Sequence, residues 1–365
     1  MNADAVLEGC GNIYTTDHRP FSVSAKPEEA SGGGVQGNIC KYIFHMYDSI
    51  ISLENMLDAW KEFPCGKRSR GDVLRFEQHL MHNLIRLHSD LKQKTYKHGG
   101  YKTRKISDPK PRVLHIAPVR DRFLHHAVHR VLYPFFNKKF QCDSFSSRRE
   151  KGIHKAMNRF QKFVRIVGKN NTKQCWVLKC DIRKFFANID HNILISILQK
   201  HITDTDTLWL CERIIRSFNP IEGKGLPLGN LTSQLFANVY MNEFDQFVKH
   251  VLKEKYYIRY ADDFVFLSRE RGELENIIPI IQKFLSEKLK LSLHEDKLFI
   301  KTIGSGVDFL GWVHFPDHRV LRTTTKRRML KRIKESPTPK TLHSYLGLLK
   351  HGNAEKLKNK IKSLA

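Results

Sequence analysis

The chain has 365 residues and carries 63 Lys and Arg against 37 Asp and Glu, a formal net charge of +26 that predicts a polyanionic partner. Hydrophobic residues make up 41% and charged residues 27%, which excludes a wholly disordered chain, and no apolar run approaches the ~18 residues of a membrane span. Seven cysteines without a C-x-x-C pair argue against a disulfide framework or zinc ribbon, and without a secretory signal they predict a cytoplasmic protein with no membrane partner.

Residues 1–40 are predicted to form a flexible N-terminal extension. They hold five acidic residues against two basic ones and end in a Ser-Gly-Gly-Gly run at residues 31–34. A stretch of this kind stays mobile outside the core, and its acidic balance argues against a nucleic-acid-binding arm.

The rest of the chain divides into a mainly helical part, a mixed part and a basic part. Apolar spacing of three to four residues predicts helices, and short β-rich runs between turn residues predict strands. In chain order we expect helices within 38–91 separated by a basic loop at 66–70, a basic strand-like segment at 96–122, helices near 122–135 and 152–166, a strand from Trp176 into Asp181, a helix at 189–201, a Gly- and Pro-containing loop at 223–230, a long buried helix at 236–251, a hairpin at 256–267 and a basic helix at 326–334.

Three carboxylates are candidates for a metal site. Asp181 ends a short apolar strand, and Asp262 and Asp263 stand at the tip of the predicted hairpin. Adjacent like charges repel each other, and a hard divalent cation such as Mg²⁺ relieves that repulsion. If the Asp181 strand pairs with the hairpin, the three carboxylates can hold two metal ions for nucleotidyl transfer. The residues alone also allow a solvated turn at the Asp pair and a helix cap at Asp181.

A second candidate is the loop at residues 225–234 (GLPLGNLTSQ), which leads into the long buried helix. Small residues at a helix N-terminus let the backbone approach a ligand and offer free N–H groups to an anion. An ordinary helix start with Thr232 or Ser233 as its cap is the other interpretation.

In this order the segments resemble the palm of bacterial reverse transcriptases of the retron and group II intron superfamily. The resemblance rests on Asp181, the LPLG loop, the YADD hairpin at 260–263, Lys297 with the apolar residues after it, FLGW at 309–312 and PKPRVLHIAPVRDR at 109–122, and it covers residues 50–352. It implies an α+β right-hand polymerase fold. In that fold we expect fingers with N-terminal helices at 41–170, a palm of antiparallel sheet plus helices at 171–315 (interleaved with fingers elements), and a basic helical thumb at 316–365.

Finer features resemble the reverse transcriptases of diversity-generating retroelements. Leu228 precedes Gly229 where most bacterial relatives have Gln-Gly, and Gln234 follows Ser233 where they have Ser-Pro. Residues 53–60 (LENMLDAW) and 344–353 (SYLGLLKHGN) add to this resemblance. The family links the lost glutamine to error-prone copying of template adenines. A defence-associated reverse transcriptase working with a noncoding RNA and a catalytically silent RNA-binding scaffold remain alternatives.

The resemblance also implies roles for individual residues. Asp181, Asp262 and Asp263, with Ile182 beside them, would hold two Mg²⁺ ions, and Lys297 would donate a proton to pyrophosphate. The residues expected to bind the dNTP are Lys110, Arg112, Phe186, Leu228 and Gly229, and those expected to bind nucleic acid are Phe309, Gly311, Arg327, Arg328, Lys331 and Arg332.

Each of these side chains also has an ordinary interpretation, such as a core position for Phe186 and Phe309 or a solvated surface for the lysines and arginines. The implied partners are template RNA and nascent cDNA, with a small basic accessory protein or a structured noncoding RNA as a further partner.

Overall fold

The computed structural model describes residues 46–107 and 111–362. The predicted extension at 1–40 and the predicted substrate ligand Lys110 lie outside the described residues. The helices are α1 (Met46–Ile51), α2 (Leu53–Glu62), α3 (Gly71–Gln78), α4 (Leu80–Lys92), α5 (Val119–Asn137), α6 (Gly152–Val167), α7 (Phe185–Asn188), α8 (His191–Gln199), α9 (Thr205–Arg216), α10 (Leu231–Gln246), α11 (Arg271–Leu289), α12 (Thr323–Glu335), α13 (Pro339–Leu349) and α14 (Glu355–Lys362).

Within the described residues, the strands form three antiparallel sheets, β1–β2, β4–β5–β3–β6 and β7–β8–β9. They are β1 (Lys102–Ile106), β2 (Arg112–Ile116), β3 (Trp176–Asp181), β4 (Tyr257–Tyr260), β5 (Asp263–Ser268), β6 (Phe299–Thr302), β7 (Val307–Phe309), β8 (Trp312–His314) and β9 (Arg319–Leu321). A π-helical turn, Phe247–Val251, extends α10. The mixture of helices and antiparallel sheets confirms the predicted α+β class.

The chain forms two compact units that alternate along the sequence. The first, which we call the helical unit, comprises the described residues within Met1–Gln141, Lys184–Asp245 and Lys288–Leu291. The second, the sheet unit, comprises Cys142–Arg183, Gln246–Glu287 and the described residues of Ser292–Ala365. The assignment of 41–170, 171–315 and 316–365 to fingers, palm and thumb stays a prediction.

In the helical unit, α2 packs against α5 through a cluster of aromatic rings. Trp60 stacks on Phe76 at 5.2 Å between ring centroids and meets Phe123 of α5 edge-on at 5.7 Å. The predicted helical segment is confirmed over residues 46–92, but as four short helices rather than two. The first break lies at Ser52, whose hydroxyl accepts the amide proton of Asn55 and so begins a new helix.

In the sheet unit, β3 is buried on both faces and occupies an inner position of the four-stranded sheet. Its apolar run packs against α6, where Phe160 and Val164 share a core with Val177 and Val265. A strand covered on both sides needs a nearly continuous apolar run, which explains why the sequence predicted this strand so clearly.

A second core in the sheet unit joins the small β7–β8–β9 sheet to α12, α13 and α14. Trp312 lies at its centre, against Met329 and Ile333 of α12. The predicted inward face of α12 is confirmed for these two residues, which are fully buried, and Leu330 is half-buried at the edge of the same core.

No helix among residues 46–107 and 111–362 combines the length and the apolar composition that crossing a lipid bilayer requires.

Gly352 lies directly against Trp312, and this contact generates a stability prediction. A Cβ at position 352 would overlap the Trp312 ring, whereas a Cβ at Gly347 of α13 would meet nothing within 4 Å. We expect Gly352→Ala to lower the free energy of unfolding by about 1–3 kcal/mol through overpacking. Gly347→Ala, in a helix, should raise it by about 0.5–1 kcal/mol. Urea denaturation of both variants tests this, and equal stabilities would contradict the packing described.

Candidate active site

The three candidate carboxylates come together through strand pairing in the sheet unit. Asp181, the last residue of β3, lies directly opposite Asp263, the first residue of β5. The amide of Ile182 donates to the carbonyl oxygen of Asp262 at 3.2 Å, which ties the end of β3 to the hairpin tip. The pairing on which the sequence-based metal hypothesis depended is therefore confirmed. Ile182 is a buried side chain, so a metal-binding role for it rests on its backbone oxygen and stays a prediction.

The hairpin tip has a strained turn, and a buried arginine braces it. Ala261 adopts a left-handed conformation with φ of +56°, which a residue with a Cβ rarely adopts. Arg259 of β4 is fully buried and donates one guanidinium N–H to the Ala261 carbonyl oxygen at 3.1 Å. A second N–H donates to the hydroxyl of Ser144 at 3.0 Å. Arg259 therefore fixes the backbone immediately before the two aspartates.

Two lysines contact the carboxylates directly. Lys297 Nζ lies 2.6 Å from Asp181 Oδ1, so the predicted catalytic lysine and the predicted metal ligand share one site. Lys179 Nζ lies 3.4 Å from Asp263 Oδ1. The sequence analysis did not predict a site role for Lys179. Side chains alternate between the two faces of a strand, so Lys179, two residues before Asp181, lies on the same face of β3 as Asp181.

The carboxyl group of Asp263 has a raised pKa. Burial raises the pKa of Asp263 to about 6, Lys179 opposes this rise, and the negative charges of Asp181 and Asp262 add to it. Its Oδ1 atom is buried and receives no hydrogen bond, although Lys179 stands at ion-pair distance. A buried carboxylate oxygen with one long lysine contact, next to two further carboxylates, is the kind of group that a hard cation neutralises.

The carboxylates therefore fit a divalent metal, and Asp181, Asp262 and Asp263 are the residues that would hold it. In this structure, the ammonium groups of Lys179 and Lys297 compensate part of the negative charge of these carboxylates. Within the described ranges, no group of three or more His, Cys, Asp or Glu side chains is already arranged to hold a metal ion.

The predicted nucleotide-binding segments meet in the helical unit through backbone hydrogen bonds. The amide of Leu226 donates to the Phe186 carbonyl oxygen at 2.7 Å, and the amide of His115 on β2 donates to the Leu228 carbonyl oxygen at 3.1 Å. Asn230 returns a side-chain hydrogen bond to the carbonyl oxygen of His115. Gly229 has φ of +104°, a conformation that favours glycine, so the LPLG loop can turn sharply beside β2.

The remaining predicted substrate residues lie on or next to these tied segments. Arg112 is exposed at the start of β2, Phe186 and Leu228 are half-buried, and Gly229 is exposed. Phe186 packs edge-to-face against Phe185 at 5.3 Å, which leaves part of its ring open. The structure thus ties the LPLG loop to β2 and to the backbone of Phe186, and the role of these residues in binding a nucleotide stays a prediction.

The residues predicted to bind nucleic acid differ in their exposure to solvent. Phe309 is fully buried and packs against Phe160 with 5.3 Å between ring centroids. Its side chain therefore belongs to the core, and the predicted contact of this ring with nucleic acid is replaced by core packing. Gly311, with φ of +85°, lies in the turn between β7 and β8, and a Cβ there would meet nothing within 4 Å. On α12, Arg327 and Lys331 are exposed and Arg328 and Arg332 are half-buried.

Comparison with known proteins identifies the class to which this site belongs. A family model described as reverse transcriptase (RNA-dependent DNA polymerase) matches residues 101–314, more than half of the chain. The chain therefore belongs to the reverse transcriptase family. This membership confirms the predicted resemblance and, with the helices and antiparallel sheets described above, the α+β right-hand polymerase class.

The relatives include bacterial proteins, one of them encoded by a group II intron, and a yeast intron protein. The chain is 25% identical to protein YkfC of Escherichia coli over 272 residues, which cover 64% of this chain and 69% of YkfC. It is 24% identical to the group II intron-encoded protein LtrA of Lactococcus lactis, covering 61% of this chain and 47% of LtrA. It is 23% identical to the putative COX1/OXI3 intron 2 protein of Saccharomyces cerevisiae, covering 63% of this chain and 34% of that protein. The chain therefore spans about half of LtrA and a third of the yeast protein.

Among solved structures, the chain is similar to apo telomerase of Candida tropicalis, with 13% identity and a TM-score of 0.46. The similarity covers 67% of this chain and 59% of that one.

The Arg259 brace generates a second stability prediction. In Ser144→Ala, the buried guanidinium group of Arg259 loses one hydrogen bond, which we expect to lower the free energy of unfolding by about 1–3 kcal/mol. Ser286→Ala provides the control, because the exposed Ser286 hydroxyl donates to the Lys283 carbonyl oxygen within its own helix. Its effect should stay within about 0.5 kcal/mol. If chemical denaturation gives the same value for both serine variants, the Ser144 bond does not support the hairpin.

Proposed function

We propose that this protein is an RNA-directed DNA polymerase that synthesises cDNA from dNTPs on an RNA template in the cytoplasm. The observation that carries the proposal is the register of β3 and β5, which sets Asp181 opposite Asp263 with Asp262 adjacent. Membership of the reverse transcriptase family supports it. A catalytically silent scaffold would gain nothing from holding three carboxylates close together, because their mutual repulsion costs stability.

Two Mg²⁺ ions, bound at Asp181, Asp262 and Asp263 with the Ile182 backbone, would stabilise the charge that develops on the transferring phosphoryl group. Arg259 holds the backbone that presents Asp262 and Asp263. We assign Lys297 as the donor of a proton to pyrophosphate, because its ammonium group lies at the carboxylate cluster and 39% of its side chain is exposed.

For the incoming nucleotide, we assign the pocket to the tied segments of the helical unit. The half-buried ring of Phe186 would exclude a ribose 2′-OH, and the backbone at Leu228 and Gly229 would line the base and sugar. Arg112 and Lys110 would contact the triphosphate, the arginine through its two-pronged guanidinium.

For the nucleic acid, we assign residues 41–170 to the fingers, 171–315 to the palm and 316–365 to the thumb. The exposed charges of α12, Arg327 and Lys331 with Arg328 and Arg332 beside them, would follow the phosphates of the template–primer duplex. Gly311, in an open turn, would let the primer strand approach the backbone closely.

Within this class, we propose the diversity-generating subtype, in which copying is error-prone at template adenines. The supporting feature is Leu228, which is half-buried beside β2 and can offer a nucleotide only apolar contact. An amide at this position can both donate and accept hydrogen bonds, so it favours a correctly seated nucleotide more strongly. A small basic accessory protein or a structured noncoding RNA would be the further partner of such an enzyme.

Replacing the metal-binding carboxylates tests the polymerase assignment. We expect Asp181→Asn and Asp262→Asn each to reduce primer extension by about 100-fold or more, since even outer-shell changes at metal sites cost about 10–100-fold. RNA binding should persist, because removing negative charge does not weaken attraction to a polyanion. Glu270→Gln, which removes an exposed carboxylate of the same unit, is the control. Extension at the rate of the unmodified protein by either site variant would exclude the assignment.

Replacing Leu228 tests the subtype. Apolar contact discriminates by only about 1–3 kcal/mol, so Leu228→Gln should lower the error frequency at template adenines by about tenfold, with smaller changes at other bases. Ile221→Gln makes the same chemical change at an exposed site of the helical unit and should leave the error spectrum unchanged. Sequencing of cDNA copied from one adenine-rich RNA measures all three proteins. Accurate copying of adenines by the unmodified protein would reject the subtype and leave the polymerase assignment standing.

A further inference from the structure

The sheet unit contains a cleft of about 710 Å³ that the proposed polymerase site does not use. Its walls are the α6 face around Lys162, the turn between β8 and β9, and the segment that joins α13 to α14. None of the candidate carboxylates, nor Lys179 or Lys297, lines it.

The cleft is strongly basic. Lys162 and Arg165 of α6 and Lys350 at the end of α13 are exposed and line it from two sides. Across the described part of the chain, no carboxylate lies within ion-pair distance of these three side chains. The one acidic residue in the lining, Asp317, is paired with His318 at 2.7 Å. Three cations without carboxylate partners around one depression attract an anion more strongly than dispersed surface charges do.

The walls of the cleft are held in place before any ligand arrives. Gln161 of α6 donates to the carbonyl oxygens of Phe315 and Pro316 at 3.2 and 2.7 Å, which fixes the β8–β9 turn. Arg319 donates to Asn158 of α6 at 2.9 Å and also to the carbonyl oxygen of His351. Because these bonds form on folding, a ligand would not have to order the walls, which lowers the entropic cost of binding.

Two imidazole rings stand among the cations. His318 stacks on Phe315 with 4.8 Å between ring centroids, and 40% of its side chain is exposed. His351 stacks on His154 at 3.5 Å. Burial lowers the pKa of His351, and of His154 to about 4, so both rings of this pair are neutral near pH 7. Aromatic faces between cations can stack on bases while the cations bind phosphates.

We propose that this cleft binds a single-stranded segment of nucleic acid, outside the polymerase site. Lys162, Arg165 and Lys350 bind its phosphates, and His318 and His351 stack on its bases. A single strand carries phosphates and bases in turn, and the cleft offers both cations for the phosphates and imidazole rings for the bases. A small anion, by contrast, is bound best where several donors converge on one point.

Lysine footprinting tests the proposal on the unmodified protein. Lysines are acetylated in the absence of dNTP, with and without a saturating single-stranded oligonucleotide of about 12 nucleotides, a length within the usual site sizes. We expect labelling of Lys162 and Lys350 to fall several-fold, while Lys283 and Lys301, exposed elsewhere in the sheet unit, keep their rates. RNA and DNA oligonucleotides are both used, and protection by either supports the proposal. Unchanged labelling of Lys162 and Lys350 overturns it, as does equal protection by inorganic phosphate alone.

A charge-matched pair of variants provides the second measurement. The triple variant Lys162→Ala, Arg165→Ala, Lys350→Ala is compared with Arg269→Ala, Lys283→Ala, Lys301→Ala, which removes the same charge from other exposed positions of the unit. Each lost phosphate contact on a single strand lowers the salt slope by ~0.7, so the cleft variant should lose a slope of about 2 and bind about 10- to 100-fold more weakly at 0.1 M salt. Equal behaviour of the two variants overturns the proposal.

Because binding is measured without dNTP, the two proposals fail separately. A missing footprint together with normal primer extension rejects the cleft alone. A clear footprint without extension by the unmodified protein rejects the polymerase assignment alone.

Discussion

The antiparallel pairing of β3 with β5 is the constraint on which the candidate active site depends. It joins two segments that are about 80 residues apart in sequence and places Asp181 opposite Asp263. Side chains alternate between faces along a strand, so a register slip of one residue would move one of the two carboxylates to the other face. The apolar runs of both strands, packed against α6, hold this register because a slip would expose them. Core packing therefore determines where the charges lie.

The charges gathered by that pairing are costly, and neighbouring cations compensate them. Lys179 contacts Asp263 and Lys297 contacts Asp181, and Arg259 fixes the turn that carries Asp262 and Asp263. Asp263 keeps one buried oxygen without a hydrogen bond. The negative charge of these carboxylates is therefore only partly compensated by the lysines, and a hard cation would complete the compensation.

The positive charges of the chain are concentrated on particular surfaces of the sheet unit. Cations line the outer side of α12, and three more surround the cleft between α6 and the α13–α14 segment. Amphipathic packing explains this arrangement, since α6 and α12 bury their apolar sides in the cores of the sheet unit and present their charged sides to solvent. The same packing that stabilises the unit therefore produces two separate basic surfaces.

Local pattern in the sequence determined the strand at Trp176–Asp181, the hairpin with its paired aspartates, the amphipathic α12 and the resemblance that placed the chain among reverse transcriptases. These features depend on periodicity and turn chemistry within a few residues. Tertiary structure alone decided that Arg259 bonds Ser144, 115 residues away, that Lys179 reaches Asp263 and that Gly352 covers Trp312. It also decided that Phe309 is buried. The residues next to a side chain in sequence do not show which distant side chain will pack against it. That distant contact decides whether a side chain such as Arg259 or Phe309 is buried in the core or exposed to bind a ligand.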